Sequence, residues 1–181
     1  MAETPETNPG GEPETSIEAA GVSTGNWDDL QIGFSGSPKA KLDDRGRLKM
    51  PAEFKAFIEK KYGKDFNAFY ITSREGLDAE VYPMPEWQQY QARIFKMPKG
   101  LPLRKKLMTS NALYGERADM DPQGRLLISE ELRKAGMVNI DVKISGEGSL
   151  LRVKSLTGLR ESVRNNPYTA QDDEAATEYD V

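Results

Sequence analysis

Leu42-Asp43-Asp44-Arg45-Gly46-Arg47-Leu48-Lys49-Met50-Pro51 sets a tight turn between two short alternating runs, and its reading decides the fold. Before the turn, Ala40 and Leu42 alternate with Lys39 and Lys41; after it, Leu48 and Met50 alternate with Arg47 and Lys49. Period-two alternation puts the apolar residues on one face and the cations on the other, while Gly46 supplies the positive φ that a short hairpin loop needs. The stretch therefore predicts a β-hairpin with a cationic outer face. It recurs 78 residues later as Ala118-Asp119-Met120-Asp121-Pro122-Gln123-Gly124-Arg125-Leu126-Leu127-Ile128-Ser129, with Ala, Asp, Gly, Arg and Leu matched at 40/118, 43/121, 46/124, 47/125 and 48/126. An internal repeat predicts a chain built in two similar halves.

Outward from each turn the same order of elements is predicted. Pro51 and Glu53 open a helix over 52–62, with Phe54, Phe57, Ile58 and Tyr62 on one face and Gly63 ending it. Two β-rich runs, Ala68 to Thr72 and Ala79 to Tyr82, flank Ser73-Arg74-Glu75-Gly76 as a second hairpin. A helix from Pro85 carries Trp87, Tyr90 and Ile94, and another spans Leu101 to Leu113. After the second turn come a helix from Ser129 to Ala135, strands at Asp141 to Ser145 and Leu150 to Lys154, and a helix through Thr157, Leu159 and Val163. Each half is hairpin, helix, hairpin, helix. A half of this size buries little surface alone, so the two halves, 32–98 and 99–165, are expected to share one core about a pseudo-two-fold axis.

Composition separates this middle from both ends. Residues 1–31 carry seven acids and no Lys or Arg, and residues 166–181 carry five acids and no base; both are expected to be disordered acidic tails. All 25 basic residues therefore lie in 32–165, against 29 − 12 = 17 acids, so the middle carries about +8 although the chain carries −4. That balance favours a polyanionic partner, for which the tails could compete; a merely solvated lysine-rich surface would show the same balance. With no Cys and no His, the chain excludes disulfides, thiol nucleophiles and Ser-His-Asp or Cys-His catalysis, and leaves a zinc site only carboxylates. No charged leader precedes an apolar run, and no window approaches a membrane helix, so a soluble intracellular protein is expected.

The chain resembles the MraZ family of bacterial cell-division-cluster transcriptional regulators, within the swapped-hairpin superfamily of AbrB-like proteins. The resemblance covers about residues 34–163 and rests on Phe34-x-Gly36, Leu42-Asp43-x-x-Gly46-Arg47-Leu48 with Pro51, Tyr82-Pro83-x-Pro85-x-Trp87, and Met120-Asp121-x-x-Gly124-Arg125-Leu126. It implies an α+β fold: a tandem pseudo-two-fold swapped-hairpin AbrB-like β-barrel with flanking helices. It further implies a ring-shaped homo-oligomer that binds double-stranded DNA at tandem promoter repeats of the division and cell-wall gene cluster, cytoplasmic and nucleoid-associated. No cofactor, metal, small-molecule substrate, membrane or catalytic activity is implied. Relative to the family the acidic amino-terminal extension is extra, and Leu159 stands where an aromatic is often found.

Read as chemistry, a carboxylate opening a tight loop can accept from loop N–H groups and from the guanidinium four residues on, fixing the loop. Asp43 with Arg47, and Asp121 with Arg125, could be hairpin staples and nothing more, with Gly46 and Gly124 shaping the turns. Against that, Lys39, Lys41, Arg45, Arg47 and Lys49 gather five cations around one hairpin, and a β-ribbon can enter the major groove, where Arg reads guanine. The second hairpin has Arg117, Asp119, Gln123, Arg125 and Leu127 at the matching positions, so the first is expected to lead phosphate contacts while Gln123 and Arg125 contribute to base readout. The competing reading is an antitoxin-like or scaffold protein whose hairpins serve assembly and protein-partner binding.

Overall fold

The structure, a computed structural model, describes residues 33–179; the expected tail over residues 1–31 lies outside them. Helix α1 (Ala52–Tyr62) starts directly after Pro51 and stops at Gly63, whose φ of 99° no β-carbon-bearing residue adopts readily. It buries Phe54 and Ile58, with Glu53 in its first turn and Lys60 and Lys61 in its last, the arrangement that suits the helix dipole. Helices α2 (Met84–Lys96), α3 (Pro102–Tyr114), α4 (Glu130–Lys134) and α5 (Leu156–Asn165) follow where the apolar spacing predicts them. No helix among the described residues is long and apolar enough to cross a membrane.

The strands are β1 (Lys39–Lys41), β2 (Arg47–Lys49), β3 (Ala68–Thr72), β4 (Asp78–Pro83), β5 (Glu116–Asp119), β6 (Arg125–Leu127), β7 (Asp141–Glu147) and β8 (Leu150–Ser155). Their partners differ from the simple hairpins that the alternation suggests. Strands β1 and β2 share only a bridge, Leu42 to Leu48, at the neck of the loop; β1 runs antiparallel to β7 and β2 antiparallel to β6. The six-stranded sheet has the order β1-β7-β8-β4-β3-β5, and β2-β6 forms a separate ribbon. That order is a palindrome of the two halves. Hairpins β3-β4 and β7-β8 meet at β4 and β8, and each hairpin takes its outer strand from the opposite half. The expected closed barrel is not formed by these strands: the sheet is open, with β1 and β5 at its edges.

Burial explains the exchange of partners. Leu48 faces Leu126 across the ribbon and both are fully buried, in a core that also contains Leu42, Phe54, Ile58, Phe69 and Ile71 from the first half and Ile128, Leu132, Val142, Ile144 and Val153 from the second. A three-residue strand paired only with its neighbour in sequence would leave one apolar face in water; paired across the halves it is covered on that face by the other half's helix and sheet. The described residues belong to one compact unit. A smaller cluster stacks Tyr70 on Trp87 at 3.9 Å between ring centres, with Tyr82 and Tyr90 beside them.

Where charge alone suggests a structureless carboxyl-terminal tail, helix α6 (Ala170–Thr177) stands instead. Its local chemistry is a capping box: the Asp172 amide donates to the Thr169 hydroxyl, and the Asp172 carboxylate accepts from the Thr169 amide at 2.7 Å. Acids in the first turn favour the positive end of the helix dipole, and the Thr169 hydroxyl, donating to the Asp172 carboxylate at 2.6 Å, together with the Thr169 amide holds that carboxyl below its ordinary range. None of its residues is buried, so the helix is held by its own sequence rather than by packing.

Candidate nucleic-acid interface

The two D-x-x-G-R loops have the same internal chemistry. In the first, Asp43 Oδ1 accepts from the amides of Arg45 at 2.9 Å and Arg47 at 2.8 Å, and Oδ2 accepts from Arg47 Nε at 2.7 Å. In the second, Asp121 Oδ1 accepts from the Arg125 amide at 2.9 Å and Oδ2 from Arg125 Nε at 2.7 Å. Each loop is also closed by its backbone, Gly46 donating to the Asp43 carbonyl and Gly124 to the Asp121 carbonyl, and each glycine has a φ of 73°. Both carboxyls are held below the ordinary range. For Asp43 the Arg47 amide bond is the largest cause; for Asp121 desolvation pushes upward, but the Arg125 amide and guanidinium outweigh it.

A guanidinium held through Nε keeps its terminal amino pair for another acceptor, so loop-fixing and recognition do not compete for the same nitrogens. Arg125 spends one amino group on Gln123 Oε1 at 3.2 Å. That contact orients Gln123 beside Arg125 and joins the two proposed base readers of the second loop.

The ribbon sets the loops side by side. The Ile128 amide donates to the Gly46 carbonyl at 3.0 Å and the Met50 amide to the Gly124 carbonyl at 2.9 Å, two bonds related by the same 78-residue offset as the motif. Register places Arg47 opposite Leu127 and Lys49 opposite Arg125. The Lys49 ammonium donates to the Gln123 carbonyl, so a cation numbered with the first loop sits on the second. Lys39 and Lys41, by contrast, lie on edge strand β1 of the other sheet, across from Lys143 and Asp141. Arg45, Arg47 and Lys49 thus belong to the loop-and-ribbon face, while Lys39 and Lys41 flank it. On β5, Arg117 is exposed and pairs with Asp119 at 3.3 Å, which partly neutralises that edge.

Sequence spacing gave no sign of the buried charge cluster where β4 meets β8. Glu80, 1% exposed, accepts from Arg152 Nη1 at 2.8 Å and Tyr82 Oη at 3.1 Å, and Arg74 Nε lies 3.0 Å away. Arg152 also donates to Asp78 at 2.9 Å and Glu147 at 2.9 Å. Removing water from Arg152 disfavours its charge, but these carboxylates outweigh that and raise its pKa. Burying an unpaired carboxylate costs several kcal/mol, roughly, so this network ties the halves together only while all members stay in place. Arg152 engages three carboxylates through Nε and Nη1, two of them from the other half, which assigns the cluster to the frame and not to the interface.

An open antiparallel sheet assembled from two exchanging halves, with paired Asp–Arg loops on a cationic ribbon, defines a tandem-repeat α+β protein with a candidate polyanion-binding face. No protein-family model matches the chain. It is, however, 36% identical over 146 residues to the transcriptional regulator MraZ of Acidobacterium capsulatum, covering 81% of this chain and 98% of that protein. It is 35% identical over 148 residues to the transcriptional regulator MraZ of Koribacter versatilis, covering 82% of this chain and 99% of that one. A MraZ of an Acidovorax species is 30% identical over 116 residues, 64% of this chain and 78% of its own length. The chain belongs to the MraZ family.

Proposed function

We propose that the protein is a sequence-specific, DNA-binding transcriptional regulator that acts in the cytoplasm, at the nucleoid. It binds tandem promoter repeats of the division and cell-wall gene cluster as a ring-shaped homo-oligomer, and it is not an enzyme. The observation that carries this reading is the pair of loops on one ribbon: in each, an arginine is locked by its aspartate through Nε, which leaves the terminal amino groups of Arg47 for guanine O6 and N7, while Arg125 shares one of its own with Gln123. Arg45, Arg47, Lys49, Gln123 and Arg125 are the contact residues at the tips, with Lys39 and Lys41 reaching flanking phosphates. Asp43, Gly46, Asp121 and Gly124 hold the loops in shape. The relatives' names as transcriptional regulators support the same reading.

Self-association is supported by α3, which buries none of its residues and exposes Leu103, Met108 and Leu113. The same face, with the acidic helix α6, is what a protein-binding scaffold would also offer. Selection of bound sequences from random duplex DNA separates the two readings. A regulator enriches a short motif that recurs in tandem upstream of the protein's own gene; a scaffold enriches nothing.

A further inference from the structure

The 78-residue offset that relates the loop motifs also relates Lys55 on α1 to Arg133 on α4. Neither side chain rests on the loop of its own half. The stem of Arg133 covers Gly46 so closely that a β-carbon there would come within 2.5 Å of its Cδ, and the stem of Lys55 runs past Gly124, its Cδ 3.9 Å from the corresponding point and Lys49 Nζ at 3.5 Å. Phe54 and Leu132, the residues just before them, are buried in the common core and fix the direction in which each helix projects its cation. Arg133 Nε donates to the Ile128 carbonyl at 3.0 Å, just past the end of β6. Among the described residues Lys55 pairs with Glu59 at 3.6 Å, and its side chain is 42% exposed. An exposed pair of that length along one helix holds an ammonium weakly, so it can be exchanged for a stronger anion.

We infer that Lys55 is a DNA phosphate contact of the second loop, supplied by the first half, and that Arg133 occupies the mirrored place at the first loop. This rests on the regulator reading and extends it. With Asp119 and Leu127 where the first motif has Lys41 and Lys49, the second loop is poor in cations of its own; Lys49 and Lys55 restore them from across the pseudo-axis. An ammonium on a flexible stem is a point charge, suited to a backbone phosphate and not to the edge of one base. The two loops are therefore closer to equal as DNA contacts than their own sequences suggest.

Affinity measured against salt, on a duplex carrying the selected repeats and on a scrambled duplex, tests this with wild type, Lys55→Ala, Lys55→Gln and Lys55→Arg. The expected result is a slope of log affinity against log salt that falls by about 0.9 per engaged copy in Lys55→Ala and Lys55→Gln, the same on both duplexes, and returns in Lys55→Arg. Thermal midpoint and sedimentation should match wild type, since Lys55 lies outside the core. Unchanged slopes in both neutral variants, with wild type binding normally, overturn the assignment and leave the regulator reading intact. A loss confined to the selected repeats overturns it too, because it would make Lys55 a base reader. Wild type that binds neither duplex overturns both.

Discussion

Asp43 anchors its loop through two amides and one guanidinium, and its negative charge strengthens all three bonds. Its folded pKa lies below the ordinary value of 3.8, so its contribution to stability is present above that value and is lost as pH falls through the folded one; Asp121 behaves in the same sense. Urea midpoints of wild type and the Asp43→Asn, Asp121→Asn double variant should therefore differ at neutral pH and converge in acid, and a gap independent of pH would show that the carboxylate charge is idle. Arg47→Ala should weaken binding to the selected repeats by about 1–3 kcal/mol and relax preference at one base pair, with fold and assembly kept; Lys49→Ala should weaken all duplexes alike. Unchanged affinity of a folded Arg47→Ala would reduce the arginine to a staple. These residues are legible in sequence because the motif is local: donor, acceptor and glycine fall within five positions.

At the scale of elements, the ribbon is the part most exposed to single substitutions, because each of its strands has three residues and one central leucine. Leu48→Ala and Leu126→Ala should each cost about 2–5 kcal/mol, and since the two side chains face one another across β2 and β6 their double variant should cost less than the sum. Denaturant unfolding of the four proteins gives that coupling; strict additivity would mean the leucines are not packed together. The helices α1 to α5 were readable from 3.6-residue periodicity, and the alternating runs correctly marked which side chains are buried. Alternation does not encode the partner. It leaves Leu48 equally content beside Leu42 or Leu126, which is why the pairing of β1 with β7 and β2 with β6, the placing of Lys49 on Gln123 and the joining of Glu80 to Arg152 could not be read from spacing. Helix α6 was hidden for a different reason. Its Thr169-x-x-Asp172 cap is a local signal, set in an acid-rich segment without apolar periodicity, whose composition predicts an unfolded tail.

For the whole molecule, electrostatics divides the chain in a way that net charge conceals. Residues 166–181 remove five negative charges and no positive ones when deleted, so the trimmed protein should bind DNA more tightly at low salt, the gain fading as the Debye length shrinks from about 30 Å at 0.01 M to about 8 Å at physiological ionic strength. Equal affinity at low salt would show the segment to be electrostatically idle. Several copies engaging one face of a duplex require boxes roughly 10–10.5 bp apart, so a half-turn insertion between boxes should lower affinity. The palindromic strand order carries one more consequence, for how such a chain comes into being. Residues 33–98 alone hold β1 to β4 and offer every strand that the opposite half receives from them, while lacking the strands they receive in return. Two copies of that fragment could supply each other, replacing the approximate axis by a true one. During synthesis the first half must therefore wait, edges open, for the second to emerge, and in ancestry a single half-length gene pairing with its own product, later fused in tandem, would have needed no new architecture at all.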